Sequence, residues 1–285
     1  MEIFAKILLY YGVGSLVAGS VMGIGFATNF ARRINNSQVA SLQRIGTYVP
    51  LTLDGIDGAL FAASTEPRPT IIYIHGRSAN RTELMPLAQE MLNAGYNAVL
   101  WDARNRQISY GPQEIDQIRR IVASIRNDPH VVPDRIYLIG FSLGAAMAIG
   151  AAAADSEKHI AGIVADSAYA NLEAVASRYI TAFGIIPTPI AWPSKTVTFV
   201  TAKAIHGIEF NTRNPADWAE RVVCPVLLIH GKSDKRIPPQ NSEIIFDRLQ
   251  SEKDLWLVDK AGHTQAFKTN PSEYTHRVLK FLNRD

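Results

Sequence analysis

The sequence predicts an α/β fold: a mainly parallel sheet with helices on both faces, an inserted helical cap, and a transmembrane helix ahead of the domain. Three observations carry this expectation. From about residue 70 onward, short apolar runs rich in β-branched residues alternate with amphipathic stretches, the pattern of a parallel sheet covered on both sides. Residues 167–215 interrupt that alternation. Residues 7–27, ILLYYGVGSLVAGSVMGIGFA, carry no charge at all.

In chain order, the uncharged run comes first. Its 21 residues are enough to cross ~30 Å of hydrocarbon as a helix, so residues 1–27 read as a membrane anchor. Two other readings stand beside it. Gly25 and Ala27 are small at the spacing of a signal-peptide cleavage site, and the run could also be a buried helix of the folded domain. Ser15, Gly19, Gly23 and Ala27 recur every four residues, leaving one helix face open to close packing. Lys6 precedes the run while Arg32 and Arg33 follow it, which biases the soluble domain toward the cytoplasm. Residues 28–44 are polar and read as a linker, and residues 45–285 as the folded domain.

That domain opens with TYVPLTL and GALFAAS around Asp54-Gly55, the signature of a two-stranded hairpin. TIIYIHG follows as a strand buried on both faces. Asn80 can cap a helix running from Arg81 to Gly95. Strands are then expected at 96–101, 135–140, 160–165, 225–230 and 254–258, and helices at about 112–126, 143–154, 239–250 and 271–282. Within 167–215 the helical stretches are near 171–182 and 194–206. The segment FGIIPTPIAWP between them contains three prolines, which predict a break in the helix. This insertion is the cap. Its Phe183, Ile185, Ile186, Ile190 and Trp192 are expected to face an acyl pocket or a bilayer, or to pack among themselves.

Composition narrows the function classes. A chain of 285 residues, 47% hydrophobic and 19% charged, suits one large α/β domain rather than a disordered one. The net charge of +3, with no dense basic tract, gives no reason to expect a nucleic-acid partner. Cys224 is the single cysteine, so there is no internal disulfide and no cysteine-based metal cluster. The seven histidines show no metal-ligand spacing, and neither a metal nor a cofactor is expected.

The chemistry concentrates at IGFSLGAAMAIG, residues 139–150. Ser142 lies between a strand and a helix, with Gly140 and Gly144 two residues to either side. A nucleophile on a sharp strand-to-helix turn needs small neighbours at those positions, because backbone segments nearly touch there. Serine needs a base, and the base needs an orienting acid. Asp234, in HGKSDKRIP, and His263, in DKAGHTQAF, each follow a predicted strand, at the sheet edge that also carries Ser142. Asp166 is a second candidate acid. Leu143, directly after the nucleophile, and Arg77, after Gly76 in YIHGRSAN, are the candidate oxyanion-hole donors through their backbone N–H groups. His75 in that loop reads as a structural hydrogen-bonding residue. Arg77, Arg81, Arg104, Arg106, Lys232, Lys235 and Arg236 fall in loops on the same edge and could attract an anionic substrate, or simply form a solvated face.

With HGRS, GFSLG, GKSDKRIP and AGHTQAF in this order, the chain resembles the α/β-hydrolase superfamily on its serine-hydrolase side, over residues 45–285. It is most similar to the short-capped branch often labelled serine-aminopeptidase-like, some members of which have an N-terminal membrane anchor. Two departures stand out. Relatives often read D-x-R-G-x-G-x-S where this chain has DARNRQIS, and Arg77 replaces a glycine. The resemblance implies esterase, thioesterase, lipase or peptidase chemistry, and the fold alone does not choose among them. The expected protein is a membrane-anchored serine hydrolase cleaving small acyl esters, thioesters or lipid-like substrates of medium or long acyl chain. Action on short peptides is the alternative. A catalytically silent binding protein would be signalled by a missing triad residue, and none is missing.

Overall fold

The computed structural model describes residues 2–31, 48–103, 107–181 and 188–284; for residues 2–13, 30–31 and 188–191 only the backbone is described. The chain divides into two compact units. One holds residues 34–106, 111–170 and 215–285, and the other residues 1–33, 107–110 and 171–214.

The larger unit is built on a sheet in the order β1-β2-β4-β3-β5-β6-β7-β8. Its strands are β1 Tyr48–Pro50, β2 Ile56–Phe61, β3 Arg68–Ile74, β4 Asn97–Ala103, β5 Val131–Phe141, β6 Ile160–Asp166, β7 Val226–Gly231 and β8 Lys253–Val258. β1 and β2 form the predicted hairpin, with Tyr48 opposite Phe61 and Gly55 at φ 74° in its turn. β2 runs antiparallel to β4, and the remaining pairings are parallel. Chain order reverses around β3, which lies between β4 and β5. Such a switch opens a crevice at the carboxyl ends of the strands.

Alternation in β3 explains why both faces are covered. Ile71 and Tyr73 join a buried cluster with Leu87 and Met91 of α2 (Met85–Asn93) and with Tyr274, Val278 and Phe281 of α10 (Pro271–Leu282). Ile72 and Ile74 point to the opposite face and are also buried. Helix α4 (Leu143–Ala153) packs on β5 and β6 and against α3 (Pro112–Ile125) and α7 (Pro215–Ala219). Ala145, Ala146 and Ala148 of α4 are fully buried, so the alanine-rich run lets this helix lie close to the sheet. The predicted helix at 81–95 divides: Arg81–Leu84 is a 3-10 turn capped by Asn80, which accepts from the Thr82 N–H at 2.9 Å, and α2 begins only at Met85. Pro86 is tolerated because the first helical N–H groups have no intrahelical partner.

The second unit contains α1 (Glu2–Ala31), α5 (Leu172–Ile180) and α6 (Thr188–His206). α6 begins at Thr188 rather than near 194, so Pro189 falls in its first turn and Pro193 inside it. The rest of the segment expected to break the helix, residues 183–187, lies outside the described residues. The remaining helices, α8 (Gln240–Arg248) and α9 (Ala266–Thr269), belong to the larger unit.

The small-residue face of α1 has an occupant. Gly19, Gly23 and Ala27 are buried. A Cβ on Gly23 would come within 2.7 Å of the Val197 Cβ and 2.8 Å of the Ser194 carbonyl on α6. The Thr198 hydroxyl of α6 also lies 3.1 Å from the Gly23 carbonyl. Leu16, Val17, Val21 and Ile24 are exposed. Among the described residues no helix is long and apolar enough to cross a membrane, so the predicted transmembrane anchor finds no support in the fold. The side chains that are described make α1 a packing partner of α6, which uses the close-approach face that an isolated lipid-embedded helix would leave open.

Candidate active site

Ser142 stands where β5 gives way to α4, with φ 55° and ψ −114°. This left-handed backbone is costly for a residue with a Cβ and marks a strained turn. The reason for the flanking glycines is visible. A Cβ on Gly140 would strike the Gly144 carbonyl, and a Cβ on Gly144 would strike the Ile74 carbonyl at the end of β3. The Ser142 N–H donates to the Asp166 carbonyl at 2.8 Å, tying the turn to β6.

His263 reaches Ser142 from the loop after β8. Its Nε2 lies 2.9 Å from Ser142 Oγ, and its Nδ1 2.6 Å from Asp234 Oδ2. Asp234 lies three residues beyond β7, and its Oδ1 accepts from the Arg236 and Ile237 N–H groups at 2.9 and 3.0 Å. The Asp and His loops are stitched together. The Ser233 N–H donates to the Ala261 carbonyl at 2.9 Å, and a Cβ on Gly231 would strike that same carbonyl. Burial pushes the Asp234 carboxyl up, but hydrogen bonds from His230 and His263 and from the Ile237 N–H outweigh it and hold the group well below the usual carboxylate range. Asp234 is therefore an anion facing the imidazole, able to stabilise positive charge on it when Ser142 gives up its proton.

Asp166, the second candidate acid, faces elsewhere. Its Oδ1 accepts from Ser167 Oγ at 2.8 Å, and Ser167 Oγ in turn accepts from the Thr264 N–H at 3.1 Å. Complete burial, opposed by the Ser167 hydrogen bond and by His230 and His263, lifts its carboxyl to about 6. The hydrogen-bonded chain thus runs Ser142, His263, Asp234, while Asp166 supports the residue after His263.

The loop after β3 carries the other expected elements. Gly76 approaches Ser142 closely: a Cβ there would sit 3.5 Å from the Ser142 Cβ. Arg77 follows it, and Leu143 opens α4, where the first N–H groups lack helical acceptors. His75 is buried, with Nδ1 2.7 Å from the Gly76 carbonyl and Nε2 3.0 Å from Asp102 Oδ1, so neither nitrogen is left to act as a base. Behind it Arg81 is fully buried. Its guanidinium lies 3.3 Å from Asp102 Oδ2 and 3.0 Å from Asp57 Oδ2, and its N–H donates to Asp102 at 3.1 Å. Burial works against the charge on Asp102, yet His75 and Arg81 together hold its carboxyl below the ordinary value.

This arrangement corrects part of the expected cationic cluster. Arg81 is sequestered in the core by two carboxylates, and Lys232 is paired with Asp259 at 2.7 Å. Arg104 and Arg106 lie outside the described residues, as do Phe183, Ile185 and Ile186 of the cap and the side chain of Ile190. Trp192 is exposed on α6. The sequence reading missed three contributors: Asp102, Arg81 as a buried cation, and His230, whose Nε2 is 3.3 Å from Asp234 Oδ2. For His230 the signal was present, since it stands four residues before Asp234 at the end of an apolar strand.

The family and the fold have counterparts among known proteins. The sequence pattern of the prolyl oligopeptidase family matches residues 103–285. The thermostable monoacylglycerol lipase of Bacillus sp. strain H-257 is 24% identical over 226 residues, covering 74% of this chain and 89% of the lipase. The uncharacterised protein YqkD of Bacillus subtilis strain 168 is 24% identical over 220 residues, 75% of this chain and 71% of YqkD. Among solved structures, the Pyrococcus furiosus esterase Pf2001 superposes with a TM-score of 0.68 at 23% identity, covering 89% of this chain and 97% of the esterase.

Proposed function

The chain belongs to the prolyl oligopeptidase family of α/β-hydrolases, and from that premise we propose that this serine hydrolase cleaves acyl esters or thioesters through Ser142, His263 and Asp234. The observation that carries the reading is the unbroken hydrogen-bonded chain from Ser142 Oγ through His263 to Asp234, at 2.9 and 2.6 Å, on a strained nucleophile turn. His263 Nε2 takes the Ser142 proton as Oγ attacks the acyl carbon, and Asp234 stabilises the imidazolium. The N–H groups of Leu143 and Arg77 receive the oxyanion. The imidazolium then protonates the departing alcohol or thiol. Water, deprotonated by the same imidazole, releases the acid and restores Ser142.

A small acyl ester, thioester or lipid-like substrate of medium or long chain fits best with the monoacylglycerol lipase among the relatives. Action on short peptides is the second reading, favoured by the family to which the chain belongs. The test is fluorophosphonate labelling of wild type, Ser142→Ala and Asp234→Asn, followed by hydrolysis of p-nitrophenyl esters of increasing chain length beside short peptide p-nitroanilides. Loss of labelling in Ser142→Ala and at least a ~10³-fold slower reaction in Asp234→Asn are expected, with esters turned over faster than anilides. Undiminished labelling of Ser142→Ala overturns the mechanism, and faster anilide cleavage moves the substrate class to peptides.

The proposed location is a membrane surface. Residues 7–27 carry no charge, and of the ten exposed large hydrophobics among the described residues, seven lie on α1 or α6: Leu16, Val17, Val21, Ile24, Trp192, Val200 and Ile205. Full-length protein is expected to stay with membranes through a high-salt wash, and Val17→Glu/Val21→Glu to release it. Recovery of wild type in the detergent-free supernatant would refute this location.

A further inference from the structure

His230 is the penultimate residue of the buried strand β7 and is itself fully buried, yet each ring nitrogen meets a polar partner. Nδ1 lies 2.6 Å from Ser242 Oγ on α8. Nε2 lies 2.8 Å from the Ile237 carbonyl and 3.3 Å from Asp234 Oδ2. A carbonyl and a carboxylate can only accept, so Nε2 carries a proton and shares it between them. The oxygen it reaches on Asp234 is the one that also accepts from His263 Nδ1. Two imidazoles therefore donate to one carboxylate oxygen, while backbone N–H groups occupy the other.

We infer that His230, held in place by Ser242, is a positioning residue that fixes the orientation of Asp234 and limits how much of its charge reaches His263. The inference rests on the serine-hydrolase mechanism above. The second N–H draws electron density from Oδ2, so removing it leaves a carboxylate that stabilises a protonated His263 more strongly. The acid limb of the reaction then moves up. Removing it also frees Asp234 to turn about its side-chain bonds, which slows proton transfer at every pH. The titratable groups facing this pair are Asp234 itself, His263 from the loop after β8, and Asp166 from β6, whose charge acts on both imidazoles.

The test is the second-order rate of fluorophosphonate labelling as a function of pH, measured on full-length wild type, His230→Gln, His230→Leu and Ser242→Ala, with thermal unfolding of each. Labelling reads Ser142 directly and requires no natural substrate. The Gln amide can keep a donor near the Nε2 position, so His230→Gln should retain the wild-type acid limb. His230→Leu should raise it by roughly half a pH unit, the size expected for a long, shared hydrogen bond to a charged group, and slow labelling at its plateau by roughly tenfold. Ser242→Ala, which leaves the ring in place but unheld at Nδ1, should slow the plateau by less. An unmoved limb in folded His230→Leu, or a His230→Gln limb displaced as far as that of His230→Leu, overturns the inference. If Ser142→Ala still labels, the mechanism itself has failed, a separate result.

Discussion

Asp166→Asn should make the protein more stable, by an amount that grows with pH. Asp166 is completely buried, and its carboxyl is raised from 3.8 to about 6 by that burial. The sign follows from linkage. The unfolded chain loses this proton near 3.8 and the folded chain only near 6, so between those values the folded state binds more protons and stability falls as pH rises. Above about 6 the penalty is complete. It is roughly half complete at pH 5 and about 3 kcal/mol at pH 7.5. Asparagine cannot ionise but keeps an acceptor for Ser167. Its stability advantage over wild type should therefore widen by roughly 1 kcal/mol between pH 5 and pH 7.5. Urea unfolding of both proteins at the two pH values measures this, because any pH-independent effect of the substitution cancels in the difference. An equal difference at the two pH values would refute the argument that Asp166 is held in the fold as a costly carboxylate.

Arg81→Met should destabilise the fold by about 3 kcal/mol, at the lower end of the range for breaking a buried ion pair. The discount arises because Asp57 is 40% exposed and can turn to water, whereas Asp102 cannot; a loss below ~1 kcal/mol in urea unfolding would count against this account. Gly144→Ala forces a Cβ against two backbone carbonyls, those of Ile74 and His75. The displaced turn should slow fluorophosphonate labelling by at least ~100-fold, while Gly25→Ala, whose Cβ meets nothing within 4 Å, should label like wild type.

The site was legible where its residues answer a local steric or topological demand. Gly140 and Gly144 are dictated by carbonyls that leave no room for a methyl group, and such a demand shows as a glycine at a fixed spacing from Ser142. Asp234 and His263 were legible because parallel strands deliver their following loops to one edge. Arg81 was not. In sequence it is one cation among several in polar loops, and its burial depends on Asp57 in the hairpin and Asp102 at the end of β4, residues 24 and 21 positions away. The pairing of α1 with α6 escaped for a related reason. An uncharged helix satisfies lipid and protein neighbours equally well, and only the stripe Gly19, Gly23 and Ala27 hints at a close partner without saying which. Helices α7 and α9, of five and four residues, are too short to display a helical period at all.

The catalytic geometry belongs to the sheet edge rather than to any one loop. Ser142 is held by β6 through the Asp166 carbonyl, the Asp234 loop by the His263 loop through Ser233 and Ala261, and the residue after His263 by β6 again through Ser167. Gly76 brings the β3 loop so near that an added Cβ would touch Ser142. Each attachment uses backbone or short side chains, which lose little rotamer entropy on being fixed. A long cation such as Arg81 is placed one layer deeper, where it fixes Asp102 and, through His75, the carbonyl of Gly76. Preorganisation of this kind lets His263 accept a proton without waiting for its surroundings to rearrange. It also predicts where variation is tolerated: the surface pair Lys232 and Asp259, at the same edge but outside this web, should be exchangeable with no change in the urea unfolding midpoint, because an exposed ion pair is screened by solvent.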